Sequence, residues 1–250
     1  MEKINQLAEW INESNRIVFF GGAGVSTDAG IPDFRSKDGI YTKNRGKYPY
    51  SPEALLSVQM LHEHPELHFQ FVRENMEHED IEPAFSHRFL ARLENSGENV
   101  QVITQNTDGL HQQAGSSRVW PLHGGDQHYC MACEKHYEKE ELQEDEAGIP
   151  RCIDCGGIIR TNVVMFGESL DPETLSGAIQ ALSQADLLLI AGTSLNVYPA
   201  ADLIHYFQGR RTVVINKEPV TVSTPGEHLA FQEGISDVFY AVADVFNLDV

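Results

Sequence analysis

A glycine-rich turn carries the residues whose chemistry is easiest to name. Residues 21–27 (GGAGVST) follow an apolar run at residues 17–20, which is typical of a buried strand. Glycine has no Cβ, so the backbone of this turn can approach a phosphate group closely. A helix that begins after the turn would direct free N–H groups and its dipole toward the anion. The pattern therefore predicts a nucleotide site at the end of a strand.

The turn differs from the dinucleotide fingerprint of dehydrogenases. Gly22 and Gly24 fit G-x-G-x-x-G, but Thr27 stands where the third glycine belongs. No acidic residue ends a second strand about 20 residues later, where it would hold a ribose. Residues 32–35 (PDFR) bring an aromatic ring and a cation instead. We therefore expect a nucleotide bound in another manner; a turn that only packs a helix on a sheet is the alternative.

All four cysteines lie within residues 126–159. They form two C-x-x-C pairs with 18 residues between them, Cys130 with Cys133 and Cys152 with Cys155. This spacing is typical of a zinc site with four cysteine ligands, which has no open position and is structural. Disulfides are the alternative, but thiols stay reduced in the cytoplasm. We expect one structural zinc.

Two further segments carry polar residues that could bind a ligand or take part in catalysis. Asn106 and Asp108, in residues 104–111 (TQNTDGLH), suit recognition of ribose hydroxyls and a carboxamide. His123 precedes two glycines, and its ordinary pKa near neutrality suits a general base. We expect His87 and His111 to be structural. Four further histidines lie among charged residues and are expected to be solvated: His62, His64, His68 and His78.

Strand and helix patterns alternate along the chain. Short apolar runs at residues 17–20, 100–104, 187–191 and 212–215 indicate strands, and Asp171 before Pro172 is typical of a helix start. We predict an α/β fold with a Rossmann-like parallel sheet covered by helices on both faces. Ligands of such sheets bind at the carboxyl ends of the strands.

Composition limits the function classes. A chain of 250 residues can form one large domain, or one domain with a smaller insert. The net charge of −19 repels nucleic acids and favours basic partners such as lysine-rich segments, although acidity can serve solubility alone. The sequence has no membrane-length apolar run and no apolar signal-peptide core. We therefore expect a cytoplasmic protein that binds neither membrane nor nucleic acid directly.

Taken together, these segments resemble the sirtuins, the NAD-dependent protein-lysine deacylases, in their bacterial form. The matching segments keep the family's order: residues 22–35, 104–111, 122–124, the two cysteine pairs, 163–168, 192–197 and 215–218. The resemblance implies a Rossmann-like NAD-binding domain of residues 1–38, 83–125 and 160–250. It also implies a small domain, with a helical insert at residues 39–82 and a zinc-ribbon module at residues 126–159.

The resemblance assigns site residues by position. It implies that NAD, a co-substrate, contacts Ala23, Thr27, Phe34, Arg35, Gln105, Asn106, Thr107, Asp108, Gly192, Thr193, Ser194, Asn216, Lys217 and Ile235. It implies that the acyl-lysine peptide pairs as a strand with residues that include Val164, Phe166, Gly167, Glu168, Asn196, Val197 and Tyr198.

The resemblance also implies the reaction. The acyl oxygen displaces nicotinamide at the ribose carbon, with His123 and Asn106 as catalytic residues and His123 as the general base. The products are free lysine, nicotinamide and O-acyl-ADP-ribose, and we expect the enzyme to be a monomer. A protein mono-ADP-ribosyltransferase on the same scaffold is one alternative, and a non-enzymatic zinc-ribbon binding module is another.

Some positions depart from the family. Thr107 stands where Ile or Val is usual, Gly125 replaces Ser or Thr, and Thr161 replaces Pro. Relatives that prefer succinyl or malonyl groups carry Tyr and Arg where this chain has Phe69 and Val72. An acidic acyl group would be desolvated there without a cation. The resemblance therefore predicts a preference for neutral acyl groups.

Overall fold

The computed structural model describes residues 1–78 and 80–250, which form two compact units. Unit 1 comprises Met1–Pro32, Ile81–Leu122 and Asp171–Val250, and unit 2 comprises Asp33–Asp80 and His123–Leu170. Within the described residues, no helix has both the length and the apolar character needed to cross a bilayer.

Nine strands form two sheets in the described part of the chain. They are β1 (Ile17–Gly21), β2 (Val100–Thr104), β3 (Val119–Pro121), β4 (His128–Cys130), β5 (His136–Tyr137), β6 (Ile159–Thr161), β7 (Leu187–Ala191), β8 (Arg211–Ile215) and β9 (Glu227–Phe231). The α-helices are α1 (Glu2–Glu13), α2 (Ile40–Asn44), α3 (Pro52–Leu55), α4 (Val58–Glu63), α5 (Pro65–Asn75), α6 (Phe85–Asn95), α7 (Leu110–Gln113), α8 (Pro172–Gln184) and α9 (Ile235–Phe246).

Unit 1 is built on a six-stranded parallel sheet in the order β3-β2-β1-β7-β8-β9. The continuous apolar runs of β1 and β7 are buried at every residue, as strands covered on both faces must be. The predicted α/β fold and its four strands are confirmed. The sequence prediction missed β3, which is short and ends in Pro121, and β9, whose Glu227 and His228 are exposed.

Apolar side chains pack on both faces of this sheet. Leu7 and Ile11 of α1 join Phe239 of α9 on one face, and Leu182 of α8 packs with Phe207 on the other. The predicted helix start at Asp171 is confirmed, because its carboxylate accepts the N–H of Thr174 at 2.7 Å. The predicted coverage of both faces is therefore confirmed as well.

Unit 2 combines helices α2–α5 with the small antiparallel sheet β5-β4-β6. Arg73 of α5 donates a hydrogen bond to the Gly148 carbonyl and lies 3.4 Å from Glu144. One side chain thus ties the helical segment to the cysteine-containing segment. Residues 33–38, 123–125 and 160–170 also belong to this unit. The division into an NAD-binding domain and a small domain is functional and stays a prediction.

Two sequence expectations are wrong. The turn after β1 continues into two one-turn 3-10 helices, Ala23–Val25 and Thr27–Ala29, so no long helix directs its dipole at this turn. Gly30 ends the second of them in the left-handed conformation, before Pro32. His68 is not solvated: it is buried, and its Nδ1 donates to the Leu55 carbonyl at 2.8 Å.

Gly177 in α8 gives a test of the packing between this helix and β3. Alanine in a helix is ordinarily more stable than glycine by about 0.5–1 kcal/mol. A Cβ at Gly177 would instead overlap the indole of Trp120, which is held by a 3.0 Å hydrogen bond to Gln101. We expect Gly177→Ala to lower the free energy of unfolding by about 1–3 kcal/mol in urea denaturation. The exposed neighbour Ser176→Ala is the control, and equal stability of the two variants would contradict this packing.

Candidate functional site

The polar loops of unit 1 follow the carboxyl ends of its central strands. The residues after β1, β2, β7 and β8 are Gly22, Gln105, Gly192 and Asn216. Along the sheet, the chain order reverses between β1 and β7. Such a switch point is where open α/β sheets bind ligands. The strand-end position that the sequence predicted for these loops is thus confirmed.

The loops after β1 and β7 touch through their backbones. The Gly24 N–H donates to the Gly192 carbonyl at 2.9 Å, and a Cβ on Gly24 would lie 2.7 Å from the Gly192 Cα. A Cβ on Gly22 would lie 2.8 Å from the Thr193 Cβ and 2.9 Å from the Gly192 carbonyl oxygen. A side chain at either glycine would therefore overlap backbone atoms of the loop after β7. The glycines of the turn therefore have a packing role, and they pack loop against loop rather than helix against sheet.

Ser26 joins two of the predicted nucleotide residues. Its buried hydroxyl donates to Asp108 Oδ2 at 2.6 Å and accepts a hydrogen bond from Asn106 Nδ2 at 3.0 Å. Asp108 Oδ1 also accepts the N–H of Leu110 at 3.0 Å. The amide and the carboxylate are thus held in fixed orientations. We call Ser26, Asn106 and Asp108 the switch-point cluster.

Two buried histidines lie behind this cluster. The Ala84 N–H donates to His87 Nδ1, which places the ring proton on Nε2, 3.4 Å from Ser26 Oγ. Burial lowers the pKa of His87 to about 4, although the Asp108 carboxylate acts in the opposite direction. Burial and the neighbouring His87 lower the pKa of His111 well below its usual value. Both rings are therefore neutral at physiological pH, in accord with the structural roles expected for them.

Other predicted nucleotide residues are placed at the same sheet edge. The Gln105 side chain donates to Thr193 Oγ1 at 3.2 Å, and Asn216 Nδ2 donates to the Glu218 carbonyl at 2.7 Å. Ser194 and Lys217 are exposed. Three more of them, Ala23, Thr27 and Thr107, are half-buried. Ile235 differs from these because its side chain belongs to the apolar core and is only 6% exposed.

Phe34 and Arg35 lie in unit 2, beside Tyr41. The two aromatic rings are 5.2 Å apart, and the Arg35 guanidinium lies 5.4 Å from the Tyr41 ring centre. Burial raises the pKa of Tyr41 to about 12, which the Arg35 charge partly offsets. Asp33 fixes the turn, since its carboxylate accepts the N–H of Ser36 at 2.8 Å. This turn therefore presents one ring and one exposed cation, as the sequence predicted.

His123 stands at a tightly held bend of unit 2. Its carbonyl accepts the N–H of Val164 at 2.9 Å. The next residue, Gly124, has φ +73°, and a Cβ there would overlap the Asn162 carbonyl. Asn162 also accepts the Gly125 N–H at 3.0 Å. The bend that carries His123 is thus fixed by the segment that follows β6.

Residues 163–168 and 196–198 were predicted to bind peptide. Phe166 and Tyr198 are exposed large side chains, at 40% and 68%. The Phe166 backbone bonds to Leu56 and Val58, with the Phe166 N–H to Leu56 O distance 3.1 Å. Asn196 is also exposed, and Val197 is half-buried. Glu168 differs from them, because its carboxylate forms an ion pair with the buried Arg160.

The four cysteine sulfurs form one cluster. Cys130 Sγ lies 3.4 Å from Cys155 Sγ, Cys133 Sγ lies 3.7 Å from Cys152 Sγ, and all four fall within 4.8 Å of one another. A zinc ion with four sulfurs at about 2.3 Å would hold them about 3.8 Å apart. All four are free thiols, so the disulfide alternative fails. The residues fit one structural zinc.

Three residues of these networks were missing from the predicted site. Ser26 is a polar residue directly after the small and apolar residues 21–25, a signal that could have marked it. His87 lies on a buried helix face, where sequence favours a packing role. Arg160 follows an apolar pair within the zinc module, and only the fold shows that it is buried beside Glu168.

Known proteins resemble this chain over nearly its whole length. The Sir2 family model matches residues 22–199. The NAD-dependent protein deacetylase of Clostridium acetobutylicum is 43% identical, covering 97% of this chain and 98% of its own. That of Cutibacterium acnes is 46% identical, covering 95% and 96%.

Two solved structures share the fold. A Sir2 complex with a p53 peptide and NAD+ has a TM-score of 0.86 at 34% identity, covering 98% of this chain and 99% of that chain. Sir2Tm bound to a propionylated peptide has a TM-score of 0.85 at 32% identity, covering 99% and 100%.

The cysteine cluster predicts a metal dependence of folding. Cys133→Ser removes one of four thiolates, and because binding of a structural zinc contributes directly to folding free energy, the variant should lose zinc and melt at a lower temperature. Elemental analysis should find one zinc per chain in the wild type. Ile153→Ser, an exposed change between two ligands, should keep its zinc. Wild-type protein with intact thiols and no metal would contradict the assignment.

Proposed function

The chain belongs to the Sir2 family, and we propose that it is an NAD-dependent protein-lysine deacetylase that releases nicotinamide and O-acyl-ADP-ribose. The switch-point cluster carries this proposal, because it offers a fixed amide and a fixed carboxylate where α/β sheets bind nucleotides. His123, which lies at a bend fixed by hydrogen bonds from and to residues 162–164, supplies the general base. Relatives named NAD-dependent protein deacetylases support the reaction.

Each of the proposed site residues has a role that follows from its side-chain chemistry. Asp108, with Thr107, binds the carboxamide of nicotinamide, while Gln105 and Asn106 bind the adjacent ribose. The bound dinucleotide supplies a ribose carbon with nicotinamide as its leaving group. His123 accepts a proton at a ring nitrogen, drawn through the ribose hydroxyls. The four-cysteine site holds zinc for structure alone, because it offers no open coordination position.

The protein substrate is an acylated lysine side chain. Solved Sir2 structures with a p53 peptide and with a propionylated peptide support this partner class. Residues 164–168 and 196–198 pair with the peptide as strands, with main-chain hydrogen bonds providing affinity. The net charge of −19 favours basic segments over nucleic acids. We propose a monomeric enzyme that acts in the cytoplasm.

One assay separates deacylation from ADP-ribosyl transfer. The protein is incubated with NAD and a panel of acylated peptides, and products are identified by mass spectrometry. Deacylation gives free lysine peptide, nicotinamide and O-acyl-ADP-ribose. Addition of ADP-ribose mass to the peptide would favour the transferase instead, and no release of nicotinamide would favour a binding module.

His123→Ala tests the general base. Loss of a general base costs typically about 10²–10⁴-fold in rate, so kcat should fall by that factor. NAD binding, measured by calorimetry, should be largely retained. His205→Ala changes an exposed histidine of unit 1 and should have wild-type kcat. Near-normal turnover by His123→Ala would contradict the role.

The acyl preference rests on Val72 and Arg73. Position 72 carries no cation, and Arg73 is already bound to Gly148 and Glu144. An acidic acyl group would be desolvated without a partner. We expect kcat/KM on a succinyl-lysine peptide to be at least about tenfold below that on the matched acetyl peptide, a difference of about 1.4 kcal/mol. Comparable values would show that the pocket or the alignment is misassigned.

A further inference from the structure

Residues 163–167, here called the peptide segment, are fixed at three points by backbone hydrogen bonds within unit 2. The Val164 N–H donates to the His123 carbonyl at 2.9 Å. The Phe166 N–H donates to the Leu56 carbonyl at 3.1 Å, and the Phe166 carbonyl accepts the Val58 N–H at 3.0 Å. A shift of this segment would therefore disturb both the His123 bend and the turn between α3 and α4.

An ion pair joins two residues that flank the peptide segment, Arg160 and Glu168. The Arg160 guanidinium donates to both oxygens of Glu168, with Nη1–Oε1 at 2.7 Å and Nη2–Oε2 at 3.0 Å. Its Nε donates to the Thr161 carbonyl at 2.9 Å, and Nη2 also donates to the Val163 carbonyl. Glu168 Oε2 accepts the Met165 N–H at 2.8 Å. The segment is thus closed into a loop from Arg160 to Glu168.

The pair is ionised and partly shielded from water. Arg160 is 4% exposed, and the Glu168 side chain is 28% exposed. Burial alone would raise the pKa of Glu168, but the hydrogen bonds from Arg160 and the Met165 N–H outweigh it and lower the pKa. Both carboxylate oxygens are therefore already engaged by groups of the chain itself.

We propose that Arg160 and Glu168 are positioning residues, which hold the peptide segment in the conformation that accepts an acyl-lysine peptide. Glu168 acts through Arg160 and the Met165 N–H rather than by binding a peptide side chain. This inference rests on the proposed deacylase function. It refines the predicted substrate-binding role of Glu168, and it assigns a role to Arg160 that the sequence did not predict.

The chemistry of the Arg160–Glu168 ion pair determines which substitutions test it. Arg160→Lys keeps the positive charge but loses the planar fork that spans two oxygens. Glu168→Gln keeps the size and one acceptor but removes the charge. Breaking a buried pair from one side leaves an unpaired charge and destabilises the fold, so melting temperature and zinc content are measured for each variant. Arg211→Lys, at the Arg211–Glu13 ion pair of unit 1, is the matched control.

The test compares KM for peptide with KM for NAD. Each single variant should raise the KM for an acetyl peptide about tenfold or more and leave the KM for NAD within about twofold, since tenfold corresponds to about 1.4 kcal/mol. The increase should be equal for peptides with and without cationic residues beside the acyl-lysine. The double variant should be no worse than the poorer single variant, because the two residues act as one unit.

Two outcomes would overturn the proposal. One is a Glu168→Gln effect confined to cationic peptides, with Arg160→Lys unchanged, which would mean that Glu168 contacts the peptide directly. The other is an unchanged peptide KM in both single variants.

A measurement that needs no substrate tests the positioning role of Arg160 and Glu168 independently of the proposed deacylase function. Amide hydrogen exchange at Val164, Met165 and Phe166 should become faster in both single variants and stay unchanged in Arg211→Lys. Unchanged exchange would contradict the positioning role whether or not the protein deacylates. A wild-type protein without activity, whose variants still show the faster exchange, would overturn the proposed function alone.

Discussion

The contact between Gly24 and Gly192 is the constraint on which the proposed nucleotide site depends. It brings the loop after β1 against the loop after β7, where the strand order reverses. Ser26 follows two residues after Gly24, so its hydroxyl is placed where it meets Asn106 and Asp108 from the loop after β2. A larger side chain at either glycine would separate these loops and the polar groups that they carry.

A comparable constraint acts in unit 2, where the segment after β6 supports its neighbours. Asn162 and Val164 fix the bend that carries His123, and the Arg160–Glu168 pair closes the same segment. Arg73 joins the helices of this unit to its cysteine-containing part. The chemical groups of each unit are thus placed by backbone contacts and buried polar side chains. The four-cysteine cluster lies in the part of the chain that leads into β6.

The sequence predictions were correct where a local pattern of residues determines the structure. Continuous apolar runs predicted the central strands, Asp171 before Pro172 predicted a helix start, and the cysteine spacing predicted the cluster of sulfurs. It failed where burial is decided by distant residues. His68 stands among charged neighbours yet is buried, and β9 is an edge strand whose exposed residues obscure its pattern. The pairing of Arg160 with Glu168 depends on a turn that no spacing rule describes.

The dependence of NAD binding on the Gly24–Gly192 contact is measured by calorimetry on Gly24→Ala, with circular dichroism to verify that the variant is folded. A Cβ on Gly24 would lie 2.7 Å from the Gly192 Cα. Asp28→Ala changes an exposed residue of the same turn and is the control. We predict that Gly24→Ala binds NAD at least about tenfold more weakly, a loss of about 1.4 kcal/mol, while Asp28→Ala stays close to wild type. A folded Gly24→Ala protein with wild-type affinity for NAD would show that the NAD site does not depend on this contact.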